Sequence, residues 1–214
     1  MPSSNTQRDA GRTKETILEA AATLFAQQGF NGTSLQQVAT AARVARGTPH
    51  YFFQSKERLY QSVLERESQL GYQVVSQAKE LINPDISNVE LLASFIDLYW
   101  QFLTANSRFL KLLQWTALEQ PYAMNKVQEH WNTILGASDL VGYVLPAGTS
   151  EETIKHLTLS VIGMCTFSFF FGQMAAQPLG IDTQDDSFVN TRREHLKTQL
   201  TAILQNLDAT PEEA

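Results

Sequence analysis

Between Arg43 and Lys56 the chain reads RVARGTPHYFFQSK, and its side chains are of the kinds that grip nucleic acid. A guanidinium, as on Arg43 and Arg46, pairs with the acceptor edge of guanine or holds a phosphate. Thr48 brings a hydroxyl and a methyl, and Gly47 lets the backbone come close to a duplex. Lys56, just after Ser55, adds an ammonium and the free amides of a helix start. Other chemistries have no such cluster. The histidines, at 50, 130, 156 and 195, lack metal-ligand spacing. No phosphate-cradling glycine loop, nucleophile elbow or pair of carboxylates set for acid–base work is present in the sequence. The reading is recognition rather than catalysis, with no enzyme activity, metal or cofactor expected.

Such residues need a rigid mount, and the preceding stretch supplies one. Leu35, Val38, Ala39 and Ala42 recur at helical spacing and form one apolar face. Thr33 or Ser34 can cap that helix, since Gln36 or Gln37 stands three residues beyond and completes a capping box in either frame. Val44 can plug the angle before a second short helix, expected from about Ala45 to Phe52. Pro49 is tolerated only in a first turn, which puts the start of that helix near Arg46 or Gly47. Two short helices joined so tightly make a helix-turn-helix, whose second helix fits a DNA major groove. Upstream, Ile17, Ala20, Ala21, Leu24 and Phe25 stripe a supporting helix from about Thr13 to Gln28, ended by Gly29. Residues 1–11 read as an irregular tail, with Arg8 and Arg12 able to reach phosphates from it.

The net charge of −6 argues against a nucleic-acid partner until its distribution is examined. Residues 1–66 hold eight basic and five acidic side chains, a net of +3, which leaves −9 for the remainder. A basic head on an acidic body is expected when one end alone meets phosphates.

From Ile17 to Leu59 the wording I-L-x-A-A-x-x-L-F, then G-F-x-x-T-S, V-A-x-x-A-x-V-x-x-G-T and F-x-S-K-x-x-L resembles the amino-terminal domain of TetR-type transcriptional regulators. The resemblance covers roughly residues 12–66. It implies an all-α protein: a three-helix helix-turn-helix domain at about 12–72 (helix-turn-helix 35–54) on a larger effector-binding and dimerisation domain at 73–208. It further implies that Ala45 and the stretch Arg46–Tyr51 face the groove. With Thr33, Ser34, Arg43 and Lys56, these make Arg46, Gly47, Thr48, His50 and Tyr51 the candidate DNA contacts. Where the family often has Leu-Tyr, this chain has Pro49-His50. Either Tyr51 takes over the phosphate contact or His50 binds the phosphate instead, which would tighten binding at lower pH.

Beyond the head, a helix from Ser55 to about Leu81 runs onward as the lever between the two parts, stopped by Asn83-Pro84. Helices at 88–106, 108–118 and 122–140 are dense in aromatics. Phe95, Tyr99, Trp100, Phe102, Trp115 and Trp131, with Cys165 and Phe169, are the expected lining of a pocket for a hydrophobic or aromatic effector. Residues 157–181 carry no charge and are long enough to span a bilayer. Ser160, Thr166, Ser168, Gln173, an early Pro178 and the lack of flanking Lys/Arg clusters argue instead for a buried helix, and no membrane partner is expected. Gly163 and Gly172 on it, with Leu196, Leu200, Ile203 and Leu204 on a last helix at 186–207, are expected at a homodimer interface. The lone Cys165 excludes an intrachain disulfide and fits a reducing cytoplasm, and the polar N-terminus is not a secretory signal. The expectation is a cytoplasmic, homodimeric regulator, most simply a repressor, that binds a palindromic operator and leaves it when a small-molecule effector binds. The alternative is a helical ligand-binding or protein-interaction module without sequence-specific DNA binding.

Overall fold

The computed structural model describes residues 4–119, 137–183 and 185–209, and among them every regular element is helical. They are α1 (Ser4–Gln28), α2 (Leu35–Ala41), α3 (Thr48–Phe53), α4 (Lys56–Glu80), α5 (Asn88–Ala105), α6 (Ser107–Glu119), α7 (Ala137–Val144), α8 (Glu151–Ala176) and α9 (Asp186–Ala209), with a 3-10 turn at Gln177–Leu179. The chain divides into two units. Of the described residues, 4–70 and 108–119 form the first, and 71–107, 137–183 and 185–209 the second. The boundary at 70/71 falls inside α4, and α6 groups with the first unit although it follows α5 of the second in sequence.

In the first unit, Ile17, Ala21, Phe25, Val38, Phe53, Leu59, Tyr60 and Val63 are buried together. The Tyr60 ring meets Phe25 edge-on at 4.8 Å and Phe30 at 5.3 Å between centroids. Such pairs contribute about 0.5–1.5 kcal/mol each beyond the area they bury. α1 is longer than the sequence suggests: it begins at Ser4, so Arg8 and Arg12 sit exposed on a helix and not on an irregular tail. Once Ile17, Ala21 and Phe25 anchor the helix, each residue added outward gains a hydrogen bond without a new nucleation cost.

In the second unit, Leu91, Leu92 and Ile96 of α5, Val144 and Leu145 at the end of α7, and Leu200 and Leu204 of α9 form the core. Ser87 caps α5 in a reciprocal box with Glu90. Ser150 starts α8 by accepting from Thr153 N at 3.2 Å, earlier than the charge-free stretch begins. Residues 151–172 of α8 are long and apolar enough to cross a bilayer by length and composition. The helix expected at 122–140 lies outside the described residues up to its last turns, where α7 begins.

Candidate nucleic-acid interface

Ser34, and not Thr33, caps α2. Its Oγ accepts from Gln37 N at 3.2 Å while Gln37 Oε1 accepts from Ser34 N at 2.8 Å, so two otherwise orphaned donors are satisfied at once. Thr33 is turned inward at 2% exposure, its hydroxyl donating to Gly29 O at 2.8 Å, and it offers nothing to a duplex. The other end of α2 closes in a Schellman arrangement: Arg43 N donates to Thr40 O at 3.1 Å and Val44 N to Ala39 O at 3.0 Å. That arrangement requires a left-handed residue at 43, where glycine is usual. Arg43 holds it at φ 55° and carries its guanidinium into the tip of the turn.

α3 starts at Thr48, later than expected, with Gly47 as its N-cap. Pro49 has no N–H. Had the helix begun at Ala45, the Ala45 carbonyl would lack its donor; instead it accepts from Thr48 N at 2.9 Å in a tight turn. Pro49 and Phe53 face the core, while His50 and Tyr51 face outward, Tyr51 with 80% of its surface exposed. Arg43, Ala45, Arg46 and Gly47 are exposed in the preceding turn, and Thr48 is half-buried. The exposed surface of the turn and α3 thus carries two guanidiniums, an imidazole and a phenol. The chain then reverses at Gln54, where φ is 67° and Ser55 N donates to Phe53 O at 2.8 Å in a three-residue turn of the rarer hand.

Lys56 departs from the sequence reading. Its ammonium donates to Phe30 O at 2.9 Å and Thr33 O at 3.0 Å, and lies 4.2 Å from the centre of the Phe30 ring. It fastens the α1–α2 turn and is not presented to phosphates. Arg58 donates to the Gln54 side chain, and Arg66 and Arg108 are held by Glu15, Glu19 and Glu67. Arg43 and Arg46 are left without an ion pair among the described residues, and their charge is available to a partner.

No local signal marked Glu67, Arg108, Thr116 or Glu119, because their partners are distant in sequence. Glu67, only 3% exposed, accepts from Arg66 at 2.7 Å and from Arg108 at 2.9 Å. Burial pushes the Glu19 carboxyl up, and bonds from Arg108 and Arg66 more than reverse that, leaving it below the ordinary glutamate range. Thr116 donates to Leu112 O at 2.7 Å, so the buried Tyr60 hydroxyl is the donor in their 2.6 Å contact.

In the second unit, Trp100 packs against Phe169 at 5.2 Å and Tyr99 stacks on Phe102 at 6.4 Å. Trp100 is 2% exposed and its Nε1 donor has no hydrogen-bond partner among the described residues. Burial pushes the Tyr99 hydroxyl up, with Cys165 adding to it, and pushes the Cys165 thiol up to about 12. Both stay neutral. Arg192 Nε donates to Ser168 Oγ at 3.2 Å, and Asp97 pairs with Arg193 and Lys197. Tyr99, Trp100, Cys165 and Phe169 are therefore neighbours. Phe95 packs against the α5–α7–α9 core. Trp115 lies in the first unit beside Gly29, and Trp131 lies outside the described residues.

The interface residues also need correction. Leu196, Leu200 and Leu204 are buried inside the chain, and Ile203 packs on the same core, because the apolar stripe of α9 faces α5. Gly172 is buried and Gly163 is exposed. An uncovered apolar stripe lies on α8, where Leu159, Phe167, Phe171 and Met174 are exposed at three- and four-residue spacing around Gly163, Met174 at 71%.

Residues 17–63, which hold the core and turn of the first unit, match the family described as bacterial regulatory proteins, tetR family. The chain is similar to the HTH-type transcriptional repressor NicS of Pseudomonas putida, 28% identical over 170 residues that cover 75% of this chain and 77% of that one. The HTH-type transcriptional regulator AcrR of Shigella flexneri is 40% identical over 67 residues, 31% of each chain. The fold matches that of the Bacillus subtilis regulator FadR, solved in complex with stearoyl-CoA, at a TM-score of 0.62 and 19% identity over 85% of this chain and 96% of that one. Residues 17–63 thus form an amino-terminal segment of the tetR type, the type found in bacterial regulatory proteins.

Proposed function

We propose that this protein is a cytoplasmic, ligand-responsive repressor that binds a palindromic operator as a homodimer and is released by a small hydrophobic or aromatic effector. The observation that carries the DNA half is the pair Arg43 and Arg46, exposed on the helix-turn-helix and without an ion pair among the described residues, whereas Arg58 and Arg66 just beyond it are held by side chains of the same unit. Two recognition helices reach successive major grooves about 34–36 Å apart. Ala45, Arg46, Gly47, Thr48, His50 and Tyr51 meet the groove, with Arg43 at its edge. The likeness to repressors from Pseudomonas putida and Brucella suis supports repression as the output.

The effector reading rests on the neutral, aromatic cluster of Tyr99, Trp100, Cys165 and Phe169, where the unpartnered Trp100 N–H offers one hydrogen bond to an acceptor. FadR, with the same fold, is described with an acyl-CoA bound, which fits an apolar ligand for this architecture. Dimerisation is supported by the α8 stripe of Leu159, Phe167, Phe171 and Met174. Effector binding favours a dimer in which α4 holds the two heads at another spacing. The coupling is the difference in ligand affinity between the two forms, typically about 1–3 kcal/mol.

The test is operator binding by Arg46→Ala, using fragments that the wild-type protein retains from genomic DNA. Affinity should fall by about tenfold to a hundredfold, the worth of one guanidinium contact, with the dimer intact. Unchanged affinity would remove Arg46 from the interface.

A further inference from the structure

The five-residue turn from Gly29 to Thr33 decides where α2 begins, and it is held from two sides by opposite charges. On one side the Lys56 ammonium takes the carbonyls of Phe30 and Thr33. On the other, Glu119 Oε2 accepts from Phe30 N at 2.6 Å and from Asn31 N at 3.2 Å. A cation on the carbonyls and an anion on the amides leave these peptide groups one orientation.

Glu119 is the last residue of α6, and α6 is itself bolted to the first unit. Arg108 at its start reaches Glu19 and Glu67, and Thr116 in its third turn takes the Tyr60 hydroxyl. The approach is close because residue 29 has no side chain: a Cβ there would come within 2.6 Å of Glu119 Oε2 and 2.8 Å of Trp115 Cε3. Gly29 also sits at φ 74°, so a larger residue is opposed by backbone and space alike.

We propose that Glu119 is a positioning residue for DNA recognition: its carboxylate holds the α1–α2 turn in the form that sets α2 and α3 for the duplex. The inference rests on the regulator reading above. It adds to α4 a second covalent route, since α6 follows directly from α5 of the other unit. A change transmitted along α5 into α6 reaches the base of the helix-turn-helix at the Phe30 and Asn31 amides.

The experiment uses the full chain, genomic fragments retained by the wild type, and two substitutions. Glu119→Gln keeps an oxygen able to accept both amides, while Glu119→Met keeps the length and removes the acceptor. Operator affinity, the thermal midpoint and hydrogen exchange at Phe30 and Asn31 are read together. Glu119→Met should weaken operator binding about tenfold or more and speed exchange at those two amides, and Glu119→Gln should restore both. Wild-type affinity in Glu119→Met overturns the proposal. So does an equal loss of affinity and thermal midpoint in both variants, which is what a merely structural carboxylate would give. Should Glu119→Met not fold, the wild type still decides: unprotected exchange at Phe30 and Asn31 overturns the clamp. A wild type that binds no duplex but protects both amides would overturn the regulator reading, and with it the recognition role of Glu119, while leaving the clamp itself standing.

Discussion

Arg43 combines a backbone cost with a side-chain use. A non-glycine residue at φ 55° costs on the order of 1 kcal/mol, and the Schellman closure of α2 leaves position 43 no other conformation. Arg43→Gly should therefore raise stability to chemical denaturation by about 0.5–1 kcal/mol, and weaken DNA binding because the guanidinium is gone. A variant that is both less stable and equally tight would refute that account of the turn. At this scale the sequence was informative wherever partners are close along the chain. The Ser34–Gln37 box, Gly29 as helix stop and the exposed Arg46, His50 and Tyr51 all follow from neighbours within a few residues. Lys56 was misread because its acceptors, Phe30 O and Thr33 O, lie more than twenty residues upstream.

Among elements, α2 is short enough to depend on its cap. Ser34→Ala removes the acceptor for Gln37 N and the reciprocal bond, and should lower stability by about 1 kcal/mol. A thermal midpoint within error of the wild type would mean that tertiary packing alone sets the start of α2. The α1–α4–α6 ion network predicts a pH dependence with a definite sign. Glu19 is held below the ordinary glutamate range in the folded state, so its share of stability is present above the unfolded value and is lost as pH falls through the folded one. Acid unfolding followed by circular dichroism should show that loss, and Glu19→Gln should flatten it. Helix existence was legible from period and caps in α1, α2, α4 and α5. The association of α6 with the first unit was not, since Glu119 and Phe30 are 89 residues apart and nothing in either stretch names the other. Period also says which residues of α9 share a face, but not what covers it. That is why Leu196, Leu200 and Leu204 were expected at an interface and are found in the chain's own core.

For the whole molecule, the exposed run of Leu159, Phe167, Phe171 and Met174 on α8 is the apolar surface on which the proposed dimer would form. Phe171→Glu and Met174→Glu together should convert a dimer to a monomer in sedimentation without loss of helical signal, because neither side chain is buried within the chain. A variant that remains dimeric would move the interface elsewhere. Charge is divided on the same scale: the basic excess of residues 1–66 opposes the acidic remainder, so association with DNA should be electrostatic and confined to one end. The most direct measurement is sedimentation of the purified chain with a duplex from its retained genomic fragments, at low and then raised salt. The account predicts two chains per duplex site and an affinity that falls steeply as salt rises. A monomer indifferent to double-stranded DNA at low ionic strength would contradict it.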